Sequence, residues 1–171
     1  MDTSAPSRRI ALTVNDRPVD ALIEPRELLL DFLRDRLGLT GAKRSCDVQV
    51  CGACTVLLDG QAVSACCTLA YEARGRQVTT IEGLAADGRL HPLQEAFAEH
   101  AAVQCGFCTP GMILTAVTLL QEVSSPTAAQ VAAHLRGTLC RCTGYWKIIE
   151  AVVAAGRRGQ EIEAWRPVGL P

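Results

Sequence analysis

Eight of the nine cysteines in this 171-residue chain fall into two sets whose spacing suits metal thiolate chemistry. Cys46, Cys51 and Cys54 stand at C-x4-C-x2-C spacing, and Cys66 follows twelve residues on. Plant-type 2Fe–2S clusters are held with this spacing, on a loop that turns three sulfurs inward around one small cluster. Gly52 and Ala53 are small, so the backbone can approach the cluster sulfides and aim N–H groups at them. The second set is Cys105-Gly-Phe-Cys108 with a remote Cys140-Arg-Cys142. Cys108 precedes an expected helix, whose N-terminal dipole favours a thiolate. Zinc is also held by four cysteines. Structural zinc sites, however, more often use two C-x2-C knuckles, and neither set has two. A Rieske centre would need histidines, but His91, His100 and His134 lie on or beside expected helices, away from the cysteine loops. They read as surface or boundary residues. Cys67, the ninth thiol, reads as a small buried side chain, since the chain would have to fold back for it and Cys66 to reach one iron.

The elements around these residues divide the chain in two. Ile10, Leu12 and Val14 alternate with Ala11 and Thr13, and Val19, Ala21 and Ile23 alternate again after the turn Asn15-Asp-Arg-Pro18. This is a hairpin pattern. Pro25 opens and Gly38 closes an expected helix with Leu29, Phe32, Leu33 and Leu37 on one face. Asp59-Gly60 marks a second hairpin, and Val78–Thr80 a last short strand. Two hairpins crossed by one helix predict a small mixed sheet of the β-grasp kind. After Glu82-Gly83 the apolar period changes to that of helices, and 83–90 reads as a linker.

Four helices follow. The first starts at Pro92, with Leu93, Ala96, Phe97 and Ala101 inward. Thr109 is placed to cap the second, with Pro110 at its first position and Ile113, Ala116, Val117 and Leu120 buried. Thr127-Ala-Ala-Gln130 is a capping box for the third, which stops at Gly137. The fourth runs from about Tyr145 to Arg158, with Ile148, Ile149, Val152 and Val153 inward. If neighbouring helices are antiparallel, the loops carrying the second cysteine set meet at one end of this bundle. The fold class is α+β, with domains at 8–82 and 91–158 and a tail at 159–171.

Composition narrows the function. Hydrophobic residues make up 49% of the chain, enough for a packed core, and the net charge of −1 favours neither nucleic acid nor an acidic membrane. Only seven aromatic residues argue against a base-stacking platform. No apolar run suits a signal peptide, and Gly111–Leu120 falls short of the roughly 20 residues of a membrane span. A cytoplasmic location is expected, where cysteines bind metal and do not form disulfides.

Three strings then carry a resemblance that covers residues 8–157. They are Cys51-Gly-Ala-Cys54-Thr-Val, Gln104-Cys-Gly-Phe-Cys108-Thr-Pro-Gly-Met112 and Leu139-Cys-Arg-Cys142-Thr-Gly-Tyr145. With them the chain resembles the small iron–sulfur subunits of the molybdenum hydroxylases, the xanthine oxidase family. The resemblance implies a plant-type, ferredoxin-like domain with one 2Fe–2S cluster on Cys46, Cys51, Cys54 and Cys66. It implies a four-helix-bundle domain with a second cluster on Cys105, Cys108, Cys140 and Cys142. It further implies a large molybdopterin-binding partner subunit, with Gln104 and Cys142 at positions that contact the pterin in relatives, and FAD on a medium subunit. The family more often has Gly at position 45 and Gly or a small residue at 49, where this chain has Ser45 and Gln49. The expected role is electron relay, with no substrate chemistry on this chain. Its rivals are a free-standing two-cluster ferredoxin and a zinc-stabilised interaction module.

Overall fold

The computed structural model describes residues 6–85 and 88–159. Trp165 and the rest of the expected tail from 160 onward lie outside the described residues. β1 (Arg8–Val14) and β2 (Arg17–Ile23) form the first hairpin. Its turn residues Asn15 and Asp16 have φ 48° and 62°, the doubly left-handed geometry whose twist suits a two-residue hairpin. β3 (Thr55–Leu58) and β4 (Gln61–Ser64) form the second hairpin, across Asp59 and Gly60 at φ 48° and 78°. β5 (Gln77–Thr79) lies between the hairpins, parallel to β1 and antiparallel to β3, and the strand order is β2-β1-β5-β3-β4. The sheet is therefore mixed, and the fold α+β.

The first helix is shorter than its sequence pattern predicts. Regular turns begin only at α1 (Leu29–Asp31) and continue as a π-helical segment, Phe32–Arg36. The residues before it are extended because Leu28 bridges to Leu69 and the Leu29 N–H donates to the Thr68 carbonyl at 2.8 Å. Leu29, Leu30, Phe32 and Leu33 are fully buried and pack with Ile10, Leu12, Val14, Val56, Leu58 and Val78.

The second half holds α2 (Pro92–Glu99), α3 (Thr109–Glu122), α4 (Ala128–His134) with a 3-10 turn Leu135–Gly137, and α5 (Trp146–Gly156). The Thr127–Gln130 capping box forms as expected. Cys108, not Thr109, occupies the cap position of α3. This helix is buried nearly all round, through Met112, Leu114 and Leu119 as well as the predicted face. α2 ends before Ala101, which is exposed at φ 51°, and Ala102 turns inward in its place. His91 departs from the surface or boundary reading. It is 2% exposed, and its Nδ1 accepts from the Leu93 N–H at 3.0 Å, capping α2.

The two halves meet on β3. Val56 and Leu58 point into the α1 core, whereas Leu57 packs with Leu93, Phe97, Met112 and Ile113. A strand buried on both faces thus divides the two cores, and α3 lies across it. Leu84, in the expected linker, also joins the helical core.

Candidate metal centres

The first cysteine loop is pinned before it reaches its cysteines. Arg34 donates to the Thr40 and Ala42 carbonyls at 2.9 and 2.7 Å. The Gly41 N–H donates to a Glu82 carboxylate oxygen at 2.7 Å, and the Lys43 N–H to the Ala53 carbonyl at 2.9 Å. Arg44 sits between Asp31 of α1 and Asp47, which it reaches at 2.7 Å. Beyond Cys46 the backbone turns through Asp47 at φ 54° and Gln49 at φ 60°. Both are left-handed positions held by non-glycine residues, which explains why a small residue suits position 49. This turn aims the N–H groups of Val48, Cys51 and Val50 at the Cys46 sulfur, with Val50 N at 3.4 Å. These donors bring the Cys46 thiol down to about 6. Cys46 lies against Cys51, and Cys54 against Cys66. Burial pushes the Cys54 thiol up to about 12.

The second set converges as the bundle topology predicts. The Cys105 and Cys142 sulfurs are 3.5 Å apart, and Cys108 pairs with Cys140. Burial pushes the Cys108 thiol up to about 12, outweighing the helix end expected to favour its thiolate. Thr143 Oγ1 is 3.2 Å from the Cys140 sulfur. Cys105 and Cys142 are exposed, as is the neighbouring Gln104. Around them stand Val103, Phe107, Leu139 and Trp146, all large, apolar and 42–69% exposed.

Cys67 is exposed, not buried. The turn that bonds its N–H to the Ser64 carbonyl at 2.9 Å carries it to the surface, its sulfur 3.7 Å from that of Cys66. His100 and His134 are half-buried, and His134 Nε2 is 3.0 Å from Thr118 Oγ1.

In both sets the thiols come in pairs, two and two. Among the described residues no three Cys, His, Asp or Glu side chains gather about a single ion position. A lone zinc would draw all four sulfurs to about 2.3 Å from one point, whereas two irons bridged by sulfide take two thiolates each. The donor set, the pairing and the N–H groups directed at sulfur fit a two-iron cluster at each place.

Sequence reasoning did not find the contact between the two sets. Gly52, at φ 68°, has no room for a side chain. A Cβ there would stand 2.6 Å from the Gly137 carbonyl oxygen and 2.8 Å from Thr138 Cα. A Cβ on Gly111 of α3 would come 2.1 Å from the Gly52 carbonyl oxygen. Between these contacts the Leu139 N–H donates to the Cys51 carbonyl at 2.8 Å. The first cysteine loop is thus wedged between α3 and the segment that leads into Cys140.

This fold, with two paired-thiol sites on contacting loops, fits the class of two-centre iron–sulfur proteins. Residues 12–83 match the family described as a 2Fe-2S iron-sulfur cluster binding domain, and residues 80–153 that described as a [2Fe-2S] binding domain. The nicotine 6-hydroxylase small subunit of Paenarthrobacter nicotinovorans is 50% identical over 157 residues, covering 91% of this chain and 94% of that protein. The nicotinate dehydrogenase small FeS subunit of Eubacterium barkeri is 47% identical, covering 87% of this chain and 95% of that protein. Quinoline 2-oxidoreductase from Pseudomonas putida 86 has a solved chain that superposes with a TM-score of 0.87 at 44% identity, covering 90% of this chain and 96% of that one. The chain belongs to the small iron–sulfur subunits of the molybdenum hydroxylases. It is an oxidoreductase subunit that serves electron transfer beside a large subunit.

Proposed function

We propose that Cys46, Cys51, Cys54 and Cys66 hold one 2Fe–2S cluster and Cys105, Cys108, Cys140 and Cys142 a second. The β-grasp, ferredoxin-like domain (8–82) carries the first and the four-helix bundle (91–158) the second. Such clusters, when bound, take up and release single electrons at potentials set by burial and hydrogen bonds to sulfur. The observation that carries this reading is the bond from Leu139 N–H to the Cys51 carbonyl. It gives the chain a short bonded path from a ligand of the first set to the residue before Cys140, so the two sites serve one relay. The exposed rim of Val103, Phe107, Leu139 and Trp146 supports docking of the second set against the large subunit. There Gln104 and Cys142 would contact the molybdopterin. Electrons would leave from the first set to FAD on a medium subunit or to an external acceptor, in a cytoplasmic complex. The relatives reported above are named for nicotine, nicotinate and quinoline, which supports an N-heteroaromatic substrate for the assembly.

The same exposed rim disfavours a free ferredoxin, and the paired thiols disfavour a zinc module. Metal and cofactor analysis of the complex purified through this chain tests the reading. Four irons per chain with molybdenum and FAD are expected, or the same without FAD if the acceptor is external. Iron without molybdenum or partner would refute the subunit role, and zinc in place of iron would refute the redox role.

A further inference from the structure

The loop around Cys140 carries an organisation that cluster ligation alone does not require. Tyr145, the residue before α5, stands at φ 68°. Left-handed backbone is unusual for a large side chain and persists only where the surroundings fix it. Here they do. The Cys140 N–H donates to Tyr145 Oη at 2.9 Å, and Tyr145 Oη donates to the Thr138 carbonyl at 3.3 Å. The Tyr145 N–H donates to Thr143 Oγ1 at 3.1 Å, and Thr143 Oγ1 lies 3.2 Å from the Cys140 sulfur. An iron-bound thiolate has no proton to give, so the Thr143 hydroxyl must donate to it. Every proton in the ring then has one place. Tyr145 N–H leads through the Thr143 hydroxyl to the Cys140 sulfur, and Cys140 N–H leads through the Tyr145 hydroxyl to Thr138. The strained backbone of Tyr145 is what lets its N–H and its phenol close this ring from both ends. Cys140, Thr143 and Tyr145 are all partly shielded from solvent, where water competes less well for the sulfur.

We propose that Thr143 raises the reduction potential of the second cluster through an O–H···S bond to Cys140, with Tyr145 as the positioning residue that holds both partners in place. The proposal rests on the cluster assignment above. Reduction adds negative charge to the cluster, and a donor at the sulfur favours the more negative state. The test is EPR-monitored potentiometry of both clusters in the purified complex. Thr143→Val, which keeps the shape and removes the donor, is expected to weaken reduction of the second cluster about tenfold, 59 mV for a one-electron couple. The first cluster serves as an internal control and stays unchanged. Thr143→Ser restores the donor and brings the potential back. Tyr145→Phe loses both phenol bonds but keeps its N–H on Thr143, so it lowers the potential less and broadens the EPR signal of the second cluster. Thr143→Val with full iron and both potentials as in wild type overturns the proposal. If Thr143→Val loses the second cluster, Tyr145→Phe decides, and a wild-type potential and line shape there overturn it. Wild-type complex with only two irons per chain would instead refute the cluster assignment and this proposal with it.

Discussion

Gly111→Ala is the sharpest perturbation of the relay. In the first turn of a helix, alanine in place of glycine ordinarily stabilises by up to about 1 kcal/mol. Here the added methyl carbon would stand 2.1 Å from the Gly52 carbonyl oxygen and 3.2 Å from the Gly52 carbonyl carbon. Both are backbone atoms, so no rotamer change relieves the overlap. The Cys51–Cys54 loop and α3 must separate by roughly 1 Å, a forced repacking of the kind that costs about 1–3 kcal/mol. Set against the propensity gain, the net loss is up to about 2 kcal/mol, or up to roughly 8 °C in Tm for a chain of this size. The effect on function is more specific. A shift of Gly52 away from α3 presses the loop onto Gly137 and Thr138, where it already has no room, and carries the Cys51 carbonyl out of alignment with the Leu139 N–H it accepts from at 2.8 Å. Rapid-freeze EPR of the substrate-reduced complex reads the outcome. Both clusters are expected to be present, with normal reduction of the second set and slowed reduction of the first. Gly137→Ala, whose added Cβ meets nothing within 4 Å, is the matched control. Wild-type transfer in Gly111→Ala, at equal or higher Tm, would refute the wedge as the electronic join.

Three further outcomes follow from the same geometry. Burial lowers the His91 imidazole from 6.5 to about 4 in the folded chain, so the unfolded chain binds the extra proton between those values. Stability is complete above pH 6.5 and falls by up to about 3 kcal/mol as pH drops through 4. His91→Asn, a capping residue that does not titrate, should flatten the difference in urea midpoint between pH 7 and pH 5, and an unchanged slope would remove His91 as its source. Glu82→Ala severs the bonds from the Gly41 N–H and the Thr80 hydroxyl. It should cost about 1–2 kcal/mol and speed bleaching of the first cluster by chelator while sparing the second, whereas equal bleaching of both would mean that Glu82 does not act through the cluster loop. Replacing Phe107 and Leu139 by Ser should weaken large-subunit binding by at least about tenfold at full iron content, the size of effect that central apolar contacts produce. Unchanged affinity in an ultracentrifugation titration would place the interface elsewhere.

The grouping of the cysteines into two sets, which the structure brings together, was legible in the sequence because cysteine spacing is a local constraint. The hairpins at Asn15–Asp16 and Asp59–Gly60 and the Thr127–Gln130 box were legible for the same reason, each being written in a few adjacent residues. What the pattern missed depended on the rest of the fold. α1 starts late because Leu28 bridges to Leu69, with the Leu29 N–H donating to the Thr68 carbonyl and the Ala70 N–H to the Glu27 carbonyl. His91 is buried at the start of α2, a helix that packs on α5, and no local signal separates a buried cap from an exposed one. Cys67 is exposed because the turn after β4 rotates it away from the core, against the usual preference of free cysteine for burial. Tyr145 at φ 68° was invisible, since an aromatic residue gives no hint of left-handed backbone as a glycine would.

The contact between the two cysteine loops is the instructive case, because its glycines had a local explanation that was incomplete. Gly52 reads as a small residue that lets the backbone reach a cluster. Its φ of 68° supports that, yet the space its Cβ would fill belongs to Gly137 and Thr138, eighty-five or more residues away in sequence. Gly111 reads as an ordinary helix residue and is the point where α3 meets Gly52. β3 makes this approach possible. Its Leu57 anchors the helical core while its neighbours Val56 and Leu58 anchor the other, so the strand leaving Cys54 fixes the distance between the two halves. A chain with both ligand sets but a spacer between independent domains would bind the same metal and lack the join. The proposed relay therefore rests on glycines that coordinate nothing. Substitutions at Gly52 and Gly111 should separate cluster content from electron transfer more cleanly than substitution of any cysteine can.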